Sequence, residues 1–340
     1  MDKQIGFAII GCGYVAQRHA KHINNCAEAT LIGVYDINKD KTNQFAQQFN
    51  TNSFASPTNL LANPQIDIVS VCTPNGHHHI ATIQALNAGK HVLVEKPMSI
   101  KKAWCEQMIN TALAKSKQLF VVKQNRFNPP VQAVKQLLNN NKLGNIFSVS
   151  VNCFWNRNAQ YYQQSQWRGT KAQDGGTLYT QFSHFIDIIY YLFGDVEIEN
   201  GIVKNLNHQN LIEFEDTGQV IFKLKEHNAL GNLSYTTAAY QQNMEGSITI
   251  FAENATIKIG GQYLNTIDYQ CTNGFDIENI ETSNQANNYG FYQGSMSNHN
   301  QVINNVVGAL KGREPIMTNA YQGLKVVEII ENIYNKAQWL

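Results

Sequence analysis

Six residues, Gly11-Cys12-Gly13-Tyr14-Val15-Ala16, constrain this 340-residue chain more tightly than any other stretch. An apolar run, Ile5 to Ile10, leads into them, and a helical pattern, Val15 to Asn25, follows. A strand that turns on glycine straight into a helix opens a βαβ unit. Gly11 permits the tight turn, Gly13 lets a pyrophosphate approach the backbone, and Ala16 allows close helix–strand packing. The helix start offers free N–H groups and its positive dipole end to the phosphates, with Cys12, Tyr14 and Val15 completing the turn. Asp36 ends the second strand, 20 residues beyond Ala16, where it can accept from both hydroxyls of an adenosine ribose. It also repels a 2′-phosphate, so NAD is expected over NADP, an argument that Lys39 and Lys41 soften only slightly.

The same alternation continues. Ile5–Ile10, Thr30–Tyr35, Ile66–Cys72, His91–Val94 and Leu119–Val122 read as strands; Val15–Asn25, Lys39–Asn50, His77–Ala88 and Lys101–Lys115 read as helices. Gly89 follows the third helix as a C-terminal glycine should. Apolar strands without polar alternation imply a parallel sheet covered on both faces. The fold class is therefore α/β, with a doubly wound Rossmann domain over residues 1–125. After Asn128-Pro129-Pro130 the rhythm changes. A helix, Val131 to Asn141, precedes a strand at Ile146–Phe154, and a long helix from Gly176 to Phe193 stops at Gly194. Strands of period two run to about Ile259, among them Gly218–Leu224 and Leu230–Thr237. Helices at Ser295–Leu310 and Thr318–Lys336 finish the pattern, and Glu281–Asn288 reads as a polar loop. Residues 126–340 are thus expected to form an α+β domain with an open, mainly antiparallel sheet.

Composition narrows the function classes. A net charge of +1 gives no general attraction to nucleic acid or anionic membrane. No apolar run approaches the roughly 18 residues of a membrane span, and the first residues lack the apolar core of a signal peptide. A soluble cytoplasmic protein is expected, with its many Asn and Gln on the surface. Six scattered cysteines without a CxxC pair read as reduced packing residues, and no metal is expected. His77-His78-His79 start a helix and point in three directions, so they cannot share one ion; His78 is expected to touch the cofactor.

Two further motifs end strands at the edge that carries the glycine turn. Thr73-Pro74-Asn75-Gly76 should border the ribose or nicotinamide, and Glu95-Lys96-Pro97 places a lysine there, pinned by proline, with Glu95 and Lys96 both expected to contact the cofactor. With Ala88-Gly89-Lys90-His91-Val92, these motifs resemble the glucose–fructose oxidoreductase / inositol dehydrogenase (Gfo/Idh/MocA) family across essentially the whole chain. The segments 124–130, 152–157 and 175–187 are similar, more narrowly, to bacterial UDP-N-acetylglucosaminuronate 3-dehydrogenases of O-antigen (lipopolysaccharide) synthesis. The resemblance implies NAD-dependent oxidation of the C3 hydroxyl of the UDP-linked sugar to a ketone. It also implies a cis Lys96–Pro97 peptide, a dimer or tetramer, and in some members reoxidation of bound NADH by 2-oxoglutarate.

Oxidising a secondary alcohol needs a hydride acceptor, supplied by the cofactor, and a group that takes the hydroxyl proton. Lys96 is the first candidate, because a lysine among apolar neighbours loses solvation and moves toward the range useful for acid–base work. His184 is the second; Asp187, three residues on, shares its helix face and could orient the imidazole. Relatives place an acid four residues before this histidine, whereas here the position is Thr180, which puts their His–Asp relay in doubt. Lys96 and His184 are therefore expected to act together, with the base assigned to neither.

Arginine occurs five times, and Arg126, Arg157 and Arg168 fall close to Trp155, Tyr161, Tyr162 and Trp167. Forked cations and aromatic faces suit a diphosphate, a carboxylate and a uracil. Asn125, Asn156 and Gln181 are candidate hydrogen-bonders to the sugar. The rival readings are another sugar or inositol dehydrogenase, an NAD-dependent glycosidase using transient C3 oxidation, and a non-catalytic NAD sensor.

Overall fold

A computed structural model describes residues 3–278, 280, 285–290 and 292–340. Its contacts divide the chain into two compact units. The first comprises Met1–Lys123 and His299–Val327; the second comprises Gln124–Asn298 and Glu328–Leu340. The segment 299–327 thus belongs with the N-terminal residues, although a simple division near residue 125 leaves it with the C-terminal ones.

The first unit is built on six parallel strands: β1 (Ile5–Ile10), β2 (Ala29–Tyr35), β3 (Asn52–Ser53), β4 (Ile68–Val71), β5 (His91–Val94) and β6 (Leu119–Val121). Their order is β3-β2-β1-β4-β5-β6, the doubly wound arrangement that reverses direction beside β1. Phe7, Ala8, Ile9, Val69, Val92, Leu93 and Val94 are fully buried, as strands covered on both faces require. Helices α1 (Tyr14–Asn25), α2 (Lys39–Phe49), α3 (Pro57–Leu61), α4 (His78–Asn87) and α5 (Lys102–Ala114) connect the strands. Gly89 has φ +76°, the left-handed conformation that closes α4.

In the second unit, α6 (Pro129–Asn139) precedes β7 (Ile146–Phe154), and α7 (Ala159–Gln163) precedes α8 (Ser183–Phe193). The strands β8 (Val196–Lys204), β9 (Thr217–Leu224), β10 (Ala229–Thr236), β11 (Glu245–Ala252), β12 (Ala255–Gly260) and β13 (Thr266–Thr272) follow. Next come the ribbon β14 (Ala286–Asn288) and β15 (Gln293–Met296), then α9 (His299–Leu310), α10 (Ala320–Lys336) and β16 (Ala337–Trp339). The large sheet has the order β13-β12-β11-β7-β10-β9-β8-β16, antiparallel except for the β7–β10 and β8–β16 pairs. No described helix is long and apolar enough to cross a membrane.

Three sequence expectations need correction. The stretch read as a loop at Glu281–Asn288 contains a strand, Ala286–Asn288, paired with Gln293–Met296; residues 281–284 lie outside the described residues. That second strand also displaces the helix expected from Ser295, which begins at His299. A minority of the amides is inside rather than at the surface. Asn128 donates to the carbonyls of Tyr263 (2.9 Å) and Leu264 (3.0 Å) and accepts from Asn298 (2.8 Å), so neutral side chains saturate buried backbone.

A buried acid lies beneath the segment leading to α8. The Glu215 carboxyl accepts from the Tyr334 hydroxyl at 2.7 Å and the Tyr235 hydroxyl at 3.2 Å, and its other oxygen has no partner. Burial pushes its pKa up to about 8, above the ordinary 4.5. The folded chain therefore keeps a proton that the unfolded chain loses, and stability falls as pH rises from about 4.5 to about 8. Glu215→Gln keeps the shape without the ionisation. Thermal melts at pH 5 and pH 9 should show wild type losing several degrees more than the variant; equal losses would contradict the assignment.

Candidate active site

The glycine turn of the first unit is preorganised. Gly11 has φ +95°, and a Cβ there would meet the Cys72 carbonyl oxygen at 2.6 Å, so no other residue fits. A Cβ on Gly13 would meet nothing within 4 Å: the space beside the backbone at the start of α1 is open. No side chain caps α1 and no acid occupies its first turn, which leaves its N–H groups and dipole for an anion. Tyr14 is exposed and Val15 half-buried. Asp36 accepts from the backbone N–H groups of Cys12 (2.8 Å) and Asn38 (2.9 Å), which aim its carboxylate and leave lone pairs for further donors. Burial, reinforced by Asp36, pushes the Cys12 thiol up to about 12, so this cysteine packs rather than reacts.

Thr73, Pro74 and Asn75 end β4 at the same edge, and the buried Thr73 hydroxyl oxygen has no partner, as a group awaiting a ligand does. The open space at Gly13 and this orphaned hydroxyl fit a dinucleotide. His78 is a staple between two loops: its ring nitrogens face the carbonyl oxygens of Pro97 (2.7 Å) and Thr73 (2.9 Å). Burial pushes its pKa down, against the pull of those carbonyls. His79 instead stacks on Trp104 at 3.9 Å, and His77 is exposed, so the three histidines do diverge. Lys96 is half-buried, and the Lys96–Pro97 peptide is cis.

Glu95 is 4% exposed and meets two histidines absent from the sequence reading. Its Oε1 lies 2.9 Å from His19 Nε2 and 3.5 Å from His299 Nε2. These three residues bring metal-capable atoms within 4.8 Å of one another. Burial favours the protonated acid, yet the hydrogen bond from His19 and the nearby His299 imidazole outweigh it and hold the carboxyl well below the usual range. A histidine one turn after Ala16 was the only signal in the sequence.

In the second unit, His184 stands in the first turn of α8, directly after a π-helical segment, Leu178–Phe182. Such wide turns recur at functional sites. His184 Nε2 lies 3.2 Å from Ser295 Oγ, which accepts from Gln124 Nε2 at 2.9 Å. Asp187 is engaged at both oxygens by Arg126: Nε donates at 2.9 Å and Nη2 at 2.6 Å, with both residues almost fully buried. Thr180, the residue in place of an expected acid, donates its hydroxyl to the buried carboxylate of Asp174. An acid is therefore present through space, six residues earlier in the chain. Asn125 is 1% exposed and neither atom of its amide has a partner; Gln124 Oε1 and Ser183 Oγ are likewise orphaned.

The arginine and aromatic segment folds on itself. Arg157 is 2% exposed, donates to Gln181 (2.7 Å) and to the Asn156 carbonyl (2.6 Å), and lies against Trp155, Tyr161 and Tyr292. Gln181 in turn donates to the Tyr161 hydroxyl at 2.6 Å. Arg168 donates to the same hydroxyl and stacks over Tyr161 at 4.4 Å and Trp167 at 4.6 Å. Tyr161 and Tyr162 form a small core with Ile212 and Phe214.

These features can be set against known proteins. Residues 5–123 match a family profile described as the NAD-binding Rossmann fold of an oxidoreductase family, and residues 135–339 match that family's C-terminal alpha/beta domain. The chain belongs to the Gfo/Idh/MocA oxidoreductase family. It carries the family's NAD-binding domain. Among solved structures, the WlbA dehydrogenase of Chromobacterium violaceum is 34% identical, with a TM-score of 0.90 over 99% of this chain and 94% of that one. WlbA of Bordetella pertussis is 31% identical, with a TM-score of 0.88 over 98% and 96%. Both were crystallised with NADH and UDP-GlcNAcA. Among curated Gfo/Idh/MocA relatives, glucose-6-phosphate 3-dehydrogenase of Bacillus subtilis is 34% identical over 207 residues, 60% of this chain and 58% of that protein.

Proposed function

We propose that this member of the family oxidises the C3 hydroxyl of UDP-N-acetyl-D-glucosaminuronic acid to the 3-keto sugar. The observation that carries the reading is likeness over 98% of the chain or more to two WlbA dehydrogenases crystallised with NADH and this sugar nucleotide. When bound, NAD supplies the hydride acceptor. Gly11, Cys12, Gly13, Tyr14 and Val15 receive its pyrophosphate; Asp36 receives the adenosine ribose; Thr73, Pro74 and Asn75 border the rest. Lys96 and His184 hold and relay the proton of the reacting hydroxyl. The orphaned amide of Asn125 favours a polar ligand in the second unit, because a buried carboxamide without partners costs free energy that a sugar hydroxyl would recover. Arg126, Arg157 and Arg168, with Tyr161, Tyr162, Trp167 and Gln181, shape the part that receives the nucleotide and carboxylate. Arg126 serves through Asp187, as its buried pairing requires.

Absorbance at 340 nm decides the substrate: purified protein with UDP-N-acetylglucosaminuronic acid and NAD should produce NADH. Added 2-oxoglutarate shows whether the cofactor is recycled in place. Glucose 6-phosphate oxidised in preference to the sugar nucleotide would move the assignment to the activity named for the Bacillus subtilis relative.

Asp36 sets the cofactor preference. Asp36→Ser removes a charged acceptor, so the dissociation constant for NAD should rise about tenfold, in line with about 1.5 kcal/mol for such a bond. Discrimination against NADP should shrink at the same time, which competition titrations of the two cofactors would show.

Assembly is proposed through the large sheet. Across β9, β10 and β11 its outer face exposes Ile221 (56%), Leu230 (59%) and Phe251 (44%). By register, Leu230 and Phe251 stand on either side of Ser148 in one row. An apolar face of this kind is covered in a homodimer or tetramer. Sedimentation should give a species of at least twice 38.3 kDa, and Ile221→Lys with Leu230→Lys should dissociate it.

A further inference from the structure

We infer that Glu95, gripped by His19 and His299, is a positioning group that fixes the backbone of Lys96. The inference rests on the reading of Lys96 as the residue that attends the reacting hydroxyl. Glu95 leaves the end of β5 with its own N–H bonded to the Val71 carbonyl at 3.0 Å, so its main chain is registered on the neighbouring strand. Its carboxylate then turns inward. One oxygen, Oε1, is hydrogen-bonded to the His19 imidazole at 2.9 Å with that of His299 3.5 Å away, and the other, Oε2, accepts the backbone N–H of Lys96 at 3.1 Å.

The two histidines come from opposite ends of the chain. His19 sits on α1, the helix whose start faces the open space at Gly13, and its other ring nitrogen lies 3.2 Å from Ser70 Oγ on β4. His299 is the first residue of α9, and its ring meets that of His19 edge-on at 5.7 Å. The carboxylate thus ties the phosphate-facing helix, the strand end before Lys96 and a distant helix into one buried node. His19 and His299 are 1% and 3% exposed.

Packing alone does not need such a node. Taking an ionised carboxylate out of water costs several kcal/mol, and apolar side chains of similar volume fill such a space at least as well. What the polar version adds is direction. A carboxylate held well below its usual range stays charged, and a charged acceptor makes the shorter, stronger hydrogen bond to an N–H. That bond sets where the Lys96 side chain starts. Misplacing a reacting group by about 1 Å can cost on the order of 10²-fold in rate.

The test uses the full-length protein with NAD and UDP-N-acetylglucosaminuronic acid. Glu95→Gln and His299→Gln are made singly and in a Lys96→Met background; His299→Gln keeps the question open where Glu95→Gln does not fold. Each single variant should lower kcat about 10- to 100-fold, with KM for the sugar and NAD affinity changed less than about threefold. In the Lys96→Met background the same replacements should lower the residual rate less than about twofold, since a group acting through Lys96 has nothing left to act on. Unchanged kcat in both single variants, or an undiminished loss in the Lys96→Met background, would overturn the positioning role alone. Near-normal kcat in Lys96→Met itself would remove the premise and the inference together. Loss of activity on dialysis against a chelator, restored by zinc, would overturn it differently, by showing that the three side chains hold a metal.

Discussion

Lys96→Met is expected to lower kcat by about 10²–10⁴, the range over which a positioned acid–base group contributes to proton transfer. Methionine keeps the length and apolar stem of lysine, so packing around the cis peptide that follows should persist. NAD affinity should change by less than a few-fold, because the proposed cofactor site places the adenosine and pyrophosphate at Gly11–Val15 and Asp36. His184→Gln is expected to fall in the same range. Gln preserves a hydrogen bond toward Ser295, where His184 Nε2 now lies 3.2 Å from Oγ, but it cannot take up a proton. The double variant separates a shared task from two independent ones. If both residues serve one proton transfer, the two losses do not add. Near-normal kcat in both single variants would remove them from the chemistry and assign the proton to another group.

The largest expected effect on stability is at Arg126. Its guanidinium is wholly buried, holds both oxygens of Asp187, and lies 4.7 Å over the ring of Tyr191. Arg126→Ala leaves the Asp187 carboxylate inside the second unit without its forked partner. Breaking a buried pair from one side costs about 3–5 kcal/mol, far more than a surface pair is worth. Urea unfolding should show that loss, with the m-value unchanged if only stability has moved. Arg126→Met with Asp187→Leu removes both charges and should recover much of it, because two neutral side chains leave nothing unpaired. Failure of the double variant to recover would mean that the hydrogen-bond geometry, rather than charge compensation, holds this region.

This pair also shows how far the sequence could be read. Arg126 was assigned to a substrate anion because arginines are scarce and cluster, and Asp187 to His184 because three residues separate them on a helix. Both inferences were local. The structure joins Arg126 and Asp187 across 61 residues, a relation that periodicity cannot carry. By contrast, most of the Rossmann unit was legible, since five of its six strands are largely apolar runs and Gly11 and Gly89 mark φ values that few other residues adopt, whereas β3, Asn52–Ser53, is polar and exposed and gave no signal. The second unit was harder. The segment 176–193 has one helical pattern, yet Leu178–Phe182 is π-helical, and no residue type announces the extra residue in a turn. The strand Ala337–Trp339 gave no signal, because three residues are too short a period to detect and its partner, β8, is over 130 positions away. Asn and Gln were placed outside because they are polar; the bonds of Asn128 and Asn298 show them paying for burial with amide-to-backbone contacts.

The discontinuity of the first unit has a consequence for how the protein is made. On a ribosome the chain emerges from its N-terminus, and domains generally condense as they become complete. Residues 1–123 can pair all six parallel strands early. They must then wait while the whole large sheet of the second unit is synthesised, because His299 and the residues up to Val327 come almost last. During that interval the Glu95 carboxylate has His19 but lacks His299, and Met98 and Val121 lack Gly323, the glycine that lets α10 approach them closely. At about 5–20 residues per second, some 175 intervening residues amount to roughly 10–35 seconds in which the nucleotide-binding half stands unfinished. Nascent chains stalled shortly before residue 299 should therefore bind NAD poorly while already showing protease-resistant parallel-sheet structure, and those carrying the final segment should bind it well.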